Sequence, residues 1–77
     1  MNITLKVPKM AVSMKEATIA EWFVEDGDTV RRGQPIYAIE TEKTTVDIES
    51  PFAGVITRIA EVGGSYGVGE PVARIVQ

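Results

Sequence analysis

In the stretch Ile39-Glu40-Thr41-Glu42-Lys43-Thr44-Thr45-Val46-Asp47-Ile48-Glu49, one lysine stands between two segments of alternating polar and apolar residues. A lysine carries a nucleophilic amine on a long flexible stem. Rival chemistries are missing. The 77 residues include no Cys and no His, which excludes disulfides, thiol nucleophiles, zinc fingers and His-based acid–base catalysis. No pair of catalytic groups with a pocket can be picked out either. The plain alternative for Lys43 is a solvated charge that keeps a strand edge soluble, as most surface lysines are.

The elements that must position this lysine are legible from an internal repeat. Glu16 to Thr41 can be written over Phe52 to Gln77 at an offset of 36, with no gap across 26 positions. Identities fall at Ala17/Ala53, Glu25/Glu61, Gly27/Gly63, Gly33/Gly69, Pro35/Pro71 and Ile39/Ile75, and the apolar pairs Ile19/Val55, Phe23/Ile59 and Ile36/Val72 match as well. Most of the identities are Gly or Pro, residues that fix turns, so a chain path repeats along with a pattern of core positions.

The repeat also decides between helix and strand. Ser13-Met14-Lys15-Glu16 fits a capping box, and Ala17, Ala20, Phe23 and Val24 follow at helical spacing. Its repeat partner, Ala53 to Ala60, holds Val55, Ile56, Thr57 and Ile59, a density of β-branched residues that favours a strand. If the halves share a fold, both are strands. The pattern predicts strands near 2–7, 16–24, 36–41, 44–49, 53–60 and 71–76, with very short ones near Thr29-Val30 and Ser65-Tyr66. Turns fall at Asp26-Gly27-Asp28, Arg32-Gly33-Gln34-Pro35, Gly63-Gly64 and Gly67-Val68-Gly69. The expected fold is all-β, a flattened barrel or sandwich with pseudo-twofold symmetry.

On that frame the opening stretch becomes a hairpin with Glu42-Lys43 at its tip. Thr41 faces Thr44, Glu40 faces Thr45, Ile39 faces Val46, Ala38 faces Asp47 and Tyr37 faces Ile48. Tyr37, Ile39, Val46 and Ile48 then point to the core, and Ala38, Glu40, Thr45 and Asp47 point away. Two-residue hairpin links favour glycine or asparagine because the primed turns need positive φ; Glu-Lys offers no such freedom, so a type I turn held by the flanking ladder is expected.

IETEKTTVDIESPFAGVI resembles the lipoyl-attachment region of the lipoyl domains of 2-oxoacid dehydrogenase acyltransferases, usually ETDKA, an alternating strand, then SP and a downstream Gly. EDGDTVRRGQPI is similar to the same family's upstream Gly-x-x-Val-x-x-Gly segment. Gly27, Gly33 and Gly54 take the family's glycine positions and read as structural. The resemblance spans nearly the whole chain and implies two four-stranded antiparallel sheets. It implies that Lys43 bears lipoic acid (lipoamide) in amide linkage, and that the domain catalyses nothing itself.

The same resemblance implies partners: a lipoate protein ligase or lipoyl transferase, a 2-oxoacid decarboxylase (E1), an acyltransferase catalytic core (E2) and a dihydrolipoyl dehydrogenase (E3). Glu42 and Thr44 stand where the family usually has Asp and Ala; they are candidates for recognition by the lipoylating enzyme, or plain turn residues. Lys9, Met10, Ala11, Val12, Ser13, Met14 and Lys15 resemble the loop through which the decarboxylase recognises its domain, or form an ordinary connection. Ser13 and Met14 keep that loop's pattern, whereas Ala11 and Val12 depart from it.

Two alternatives remain. A biotin carrier domain also modifies a hairpin lysine, but between two methionines, whereas Met10 and Met14 lie far from Lys43. The other is an unmodified β-domain used for binding or assembly. The glycine-cleavage carrier protein also bears lipoate but is longer. Trp22 faces Arg58 in the repeat, and reads as core or partial core in preference to a contact site.

Composition bounds the rest. One small domain, residues 1–77, is all this length holds, and it is expected to be the N-terminal module of a longer acyltransferase chain. A net charge of −3 with scattered basic residues speaks against nucleic acid, and no apolar run approaches a membrane span. A soluble, cytoplasmic, monomeric domain is expected.

Overall fold

The alternation is realised in a computed structural model that describes residues 1–9, 14–42 and 44–77. Eight strands follow one another: β1 (Asn2–Lys6), β2 (Glu16–Trp22), β3 (Thr29–Val30), β4 (Pro35–Glu40), β5 (Thr45–Glu49), β6 (Gly54–Arg58), β7 (Ser65–Gly67) and β8 (Pro71–Val76). They pair antiparallel in two four-stranded sheets, ordered β1-β8-β6-β3 and β5-β4-β2-β7. Among the described residues there is no helix, so the strand reading of residues 16–22 prevails over the helical one.

Between the sheets lies one core, to which each contributes a similar set. Ile19, Ile36 and Ile39 come from one sheet, Ile56, Val72 and Ile75 from the other, all with 0% exposure. Fully burying such side chains contributes roughly 1.5–3 kcal/mol each, the main favourable term available to a chain without disulfides. The single buried polar residue among those described, Ser50, has its hydroxyl satisfied by donating to the Phe52 carbonyl.

Main-chain hydrogen bonds repeat with the sequence. Phe23 N–H donates to Ile36 O at 2.9 Å, and their repeat partners do the same, Ile59 N–H to Val72 O at 3.0 Å. Gly33 N–H donates to Ser50 O and Gly69 N–H to Val7 O, at 2.7 and 3.1 Å; both glycines hold positive φ, 86° and 92°. A β-carbon in that conformation would crowd the neighbouring carbonyl, which is why glycine recurs at both turns. Gly54 is needed for a different reason. A β-carbon there would sit 2.6 Å from the Val76 carbonyl oxygen, a backbone atom that cannot swing away.

The ungapped repeat needs one correction. Ile19 pairs with Ile39, but the next pair is Glu21 with Ala38, so Ala20 is an extra residue bulged out of β2. The corresponding strand runs without interruption, with Ile56 on Ile75 and Thr57 on Arg74. Before the bulge, structural equivalence is therefore Ile19 with Ile56 rather than Ile19 with Val55. Hydrogen bonds agree: Gly27 N–H donates to Ile56 O and Gly63 N–H to Ile19 O, both at 2.8 Å. Burial agrees too, since Ile19 and Ile56 are at 0% exposure and Val55 is at 42%. The bulge also reverses the inward–outward parity of β2, so Trp22 joins the core side.

Equivalent residues that touch must lie near the pseudo-twofold axis. Trp22 and Arg58 do so, the guanidinium carbon standing 5.0 Å from the indole ring centroid. Trp22 is partial core, as read from the sequence. Its indole N–H donates to Ala60 O at 3.1 Å and its ring tilts against Tyr37 at 5.2 Å. Equivalent residues also line one groove of about 360 Å³ together, Leu5 and Ile48, Lys6 and Glu49, Pro8 and Pro51, which puts that groove on the axis.

Candidate functional site: the β4–β5 hairpin

β4 and β5 pair as the alternation demanded: Glu40 with Thr45, Ile39 with Val46, Ala38 with Asp47 and Tyr37 with Ile48. Tyr37 and Ile39 are buried and Val46 and Ile48 half-buried against the core, which fixes the register, because a slip of one residue would turn this whole set outward. Ala38 faces outward yet is only 4% exposed. It is a small residue whose partners on both neighbouring strands, Glu21 and Asp47, are longer.

The ladder closes at Thr41, whose N–H donates to Thr44 O at 2.8 Å. The Thr41 hydroxyl donates to the same carbonyl at 3.1 Å. Glu42 is exposed and, like every described non-glycine residue, has no positive φ. Both primed turns need positive φ at the first central position, so neither forms here and the flanking ladder has to hold the link. Lys43, the residue on which the sequence reading centres, lies outside the described residues. Exposed carboxylates surround the link, Glu40 and Glu42 beside it and Asp47 on the outward face of β5. Sequence reading did not single out Thr41, because a threonine beside a turn fits the end of a β-strand as well as it fits a side-chain bond to the backbone.

The segment expected to form a recognition loop is only partly described. Met10, Ala11, Val12 and Ser13 lie outside the described residues. Lys9 and Lys15 are exposed, and Lys15 O accepts from Val68 N–H at 3.0 Å; Met14 is half-buried and packs on the core. Lys15 is thus tied through the β7 turn to the sheet that carries the hairpin.

Elsewhere, chemistry is sparse. Among the described residues, no group of three or more Cys, His, Asp or Glu could hold a metal ion. Burial pushes the Tyr37 phenol up to about 12, and this ring lines the groove on the axis, which includes none of Thr41, Glu42 or Thr44. No helix among the described residues is long and apolar enough to cross a membrane.

The link that holds Lys43 in the sequence thus closes a core-anchored hairpin in a twofold β-domain. A family model for biotin- and lipoyl-attachment domains, described as "Biotin-requiring enzyme", matches residues 3–75. The chain belongs to this family. Curated relatives of this lipoyl-type domain include the dihydrolipoyllysine-residue succinyltransferase component of the 2-oxoglutarate dehydrogenase complex of Rickettsia felis, 37% identical over 76 residues. The match covers 97% of this chain and 19% of that protein. Another is the dihydrolipoyllysine-residue acetyltransferase component of the pyruvate dehydrogenase complex of Zymomonas mobilis, 37% identical over 75 residues, 95% of this chain and 17% of that one.

Among solved structures, the lipoyl domain of the 2-oxoglutarate dehydrogenase complex from Azotobacter vinelandii superposes with a TM-score of 0.82 at 28% identity, covering 97% of this chain and 96% of that one. A single-chain, multi-domain long-chain acyl-CoA carboxylase reaches a TM-score of 0.78 at 18% identity over 99% of this chain and 7% of that one, a likeness of fold alone. The lipoyl-type domain spans about a fifth or less of the length of the curated relatives it matches.

Proposed function

We propose that this domain carries lipoate in amide linkage on Lys43 and presents it to the active sites of a 2-oxoacid dehydrogenase complex. The observation that carries the reading is the closure of the β4–β5 hairpin between Thr41 and Thr44. It brackets Glu42-Lys43, the sequence that resembles the lipoyl-attachment motif. The lysine ammonium first gives one proton to solvent, and the neutral amine then attacks an activated lipoyl carboxyl. The C–N bond forms as the bond from the carboxyl carbon to the activating group breaks, that group leaves with the bonding pair, and the nitrogen releases a second proton to become the amide. When attached, the dithiolane supplies the redox and acyl-carrying chemistry.

The chain's own contribution is presentation. A hairpin whose inner face is locked in the core fixes Thr41 and Thr44 on either side of the link. Tethering then raises the effective concentration of the carried group at each partner site. Attachment also removes one positive charge from a domain of net charge −3, making a link already flanked by Glu40, Glu42 and Asp47 more acidic. Partners in this reading are a lipoylating enzyme, a 2-oxoacid decarboxylase, the acyltransferase core of the same longer chain and a dihydrolipoyl dehydrogenase. Glu42 and Thr44 are the residues nearest the lysine in sequence for the first of these to recognise, and residues 9–15 are the corresponding segment for the second.

The test is modification itself. With a lipoate–protein ligase, ATP and lipoate, the domain should gain one lipoyl increment in intact mass, mapping to the Lys43 peptide. Lys43→Arg should stay unmodified while its unfolding free energy changes by no more than about 0.5 kcal/mol. An unmodified wild type, or an increment on Lys6, Lys9 or Lys15 instead, overturns the assignment. Labelled biotin with a biotin–protein ligase, entering where lipoate does not, would turn the reading to biotin.

A further inference from the structure

The hydroxyl of Thr41 adds a second donor to a carbonyl that the main chain already satisfies. Thr44 O receives the Thr41 amide at 2.8 Å and the Thr41 hydroxyl at 3.1 Å. Pseudo-symmetry supplies an internal control for what the ladder needs. The equivalent closing pair is Gln77 and Met1, where Gln77 N–H donates to Met1 O at 3.0 Å. There the side chain turns away, and Gln77 Nε2 donates to Ala53 O at 3.2 Å. The Met1 amino group donates back to Gln77 O at 3.4 Å, so main-chain groups alone end that ladder, and the hydroxyl bond belongs to the end that has a link to close.

That link is poorly suited to a tight hairpin. It contains no glycine, and Glu42 does not take the positive φ that the preferred two-residue turns require. Its geometry therefore depends on the residues that flank it, and a β-branched residue with restricted χ1 and a donor aimed at the opposite carbonyl is a clamp of the right kind. Holding the link in few conformations before it meets an enzyme removes part of the ordering cost at binding.

We propose that Thr41 is a positioning residue for acylation of Lys43, acting through its hydroxyl bond to Thr44 O and lowering the KM of the lipoylating enzyme for the domain. This rests on the lipoyl-lysine reading above. Thr41→Val keeps the shape, the β-branch and the amide bond and deletes only the donor; Thr41→Ser restores the donor.

The measurement is initial rates of lipoyl transfer to the intact 77-residue domain by a lipoate–protein ligase with ATP and lipoate, the domain concentration being varied. Thr41→Val should raise KM about three- to tenfold at unchanged kcat, the scale of one hydrogen bond, and Thr41→Ser should recover most of the loss. A wild-type KM in Thr41→Val, or a Thr41→Ser variant no better than Thr41→Val, overturns the proposal. A purely structural role would instead lower the urea midpoint and leave KM alone, which also overturns it. If the wild type takes no lipoate, both readings fall; if it does and Thr41→Val matches it, only this one does.

Discussion

The two halves of the domain carry matching aliphatic residues at the centre of the core and unlike residues on their outer faces. Ile19 and Ile56, Ile39 and Ile75, and Ile36 and Val72 hold equivalent places in the core at 0% exposure. On the outer face of the sheet that carries the hairpin, one cross-strand row reads Ser65, Thr18, Glu40, Thr45 and the next Glu21, Ala38, Asp47. The equivalent rows on the other sheet read Thr29, Val55, Val76, Asn2 and Thr57, Arg74, Thr4. Carboxylates on one face thus correspond to a valine pair and an arginine-bearing row on the other. The difference teaches that packing constrains the inner positions of both halves alike, because a void or an overlap costs the same in either. The outer positions were free to diverge, and the acidic face lies next to the lysine link.

The largest effects are expected in the core. Ile19→Ala and Ile56→Ala should each cost about 2–5 kcal/mol in urea unfolding, and by similar amounts, since each empties the same place in one half. Val55→Ala should cost under about 0.5 kcal/mol, because its side chain is partly in water already. Were Val55→Ala to match Ile19→Ala, the offset that pairs those two without a gap would be the correct one, and the bulge at Ala20 would be wrong.

A smaller effect tests one place where the core halves do differ, Tyr37 against Ala73. With its phenol pushed up to about 12 from the ordinary 10.0, Tyr37 stays protonated in the folded domain at a pH where the unfolded chain has released the proton. The unfolded state then binds fewer protons, so stability falls as pH rises from about 10 to about 12, and this group contributes no such slope below that window. The loss should be on the order of 1–2 kcal/mol. Tyr37→Phe should flatten that part of the curve. An identical alkaline slope in the two proteins would rule out the phenol as its source.

How much of this was legible in the sequence follows the same division. Inward alternation on residues 37–48 gave the hairpin register pair by pair, because burial of one face leaves a single acceptable pairing. The glycine and proline positions gave the turns. What the repeat concealed was Ala20. A bulge shifts an apolar pattern by one residue, so Ala17, Ala20, Phe23 and Val24 imitate helical spacing, and an ungapped overlay still collects a chance identity at Ala17/Ala53. The Thr41 bond was not legible, since a threonine before a turn is equally at home as a strand residue. Nor could periodicity point to lipoate; that proposal rests on likeness to known domains.

The mildest expected effect sits on the axis itself, where Trp22 and Arg58 are equivalent positions filled by unlike residues that stack at 5.0 Å. Placing the cation over the indole face gains about 0.5–1 kcal/mol at a partly exposed site. Arg58→Ala should lose that and some packing of the arginine stem, whereas Arg58→Met keeps an unbranched apolar stem and loses only the charge. Trp22 is the single tryptophan, so its fluorescence reports the contact directly. Its emission should change in both variants while the indole N–H stays bonded to Ala60 O. If Arg58→Met unfolds at the wild-type midpoint, the pair is held by packing alone, and the unlike residues on the axis contribute no electrostatic stabilisation to the domain.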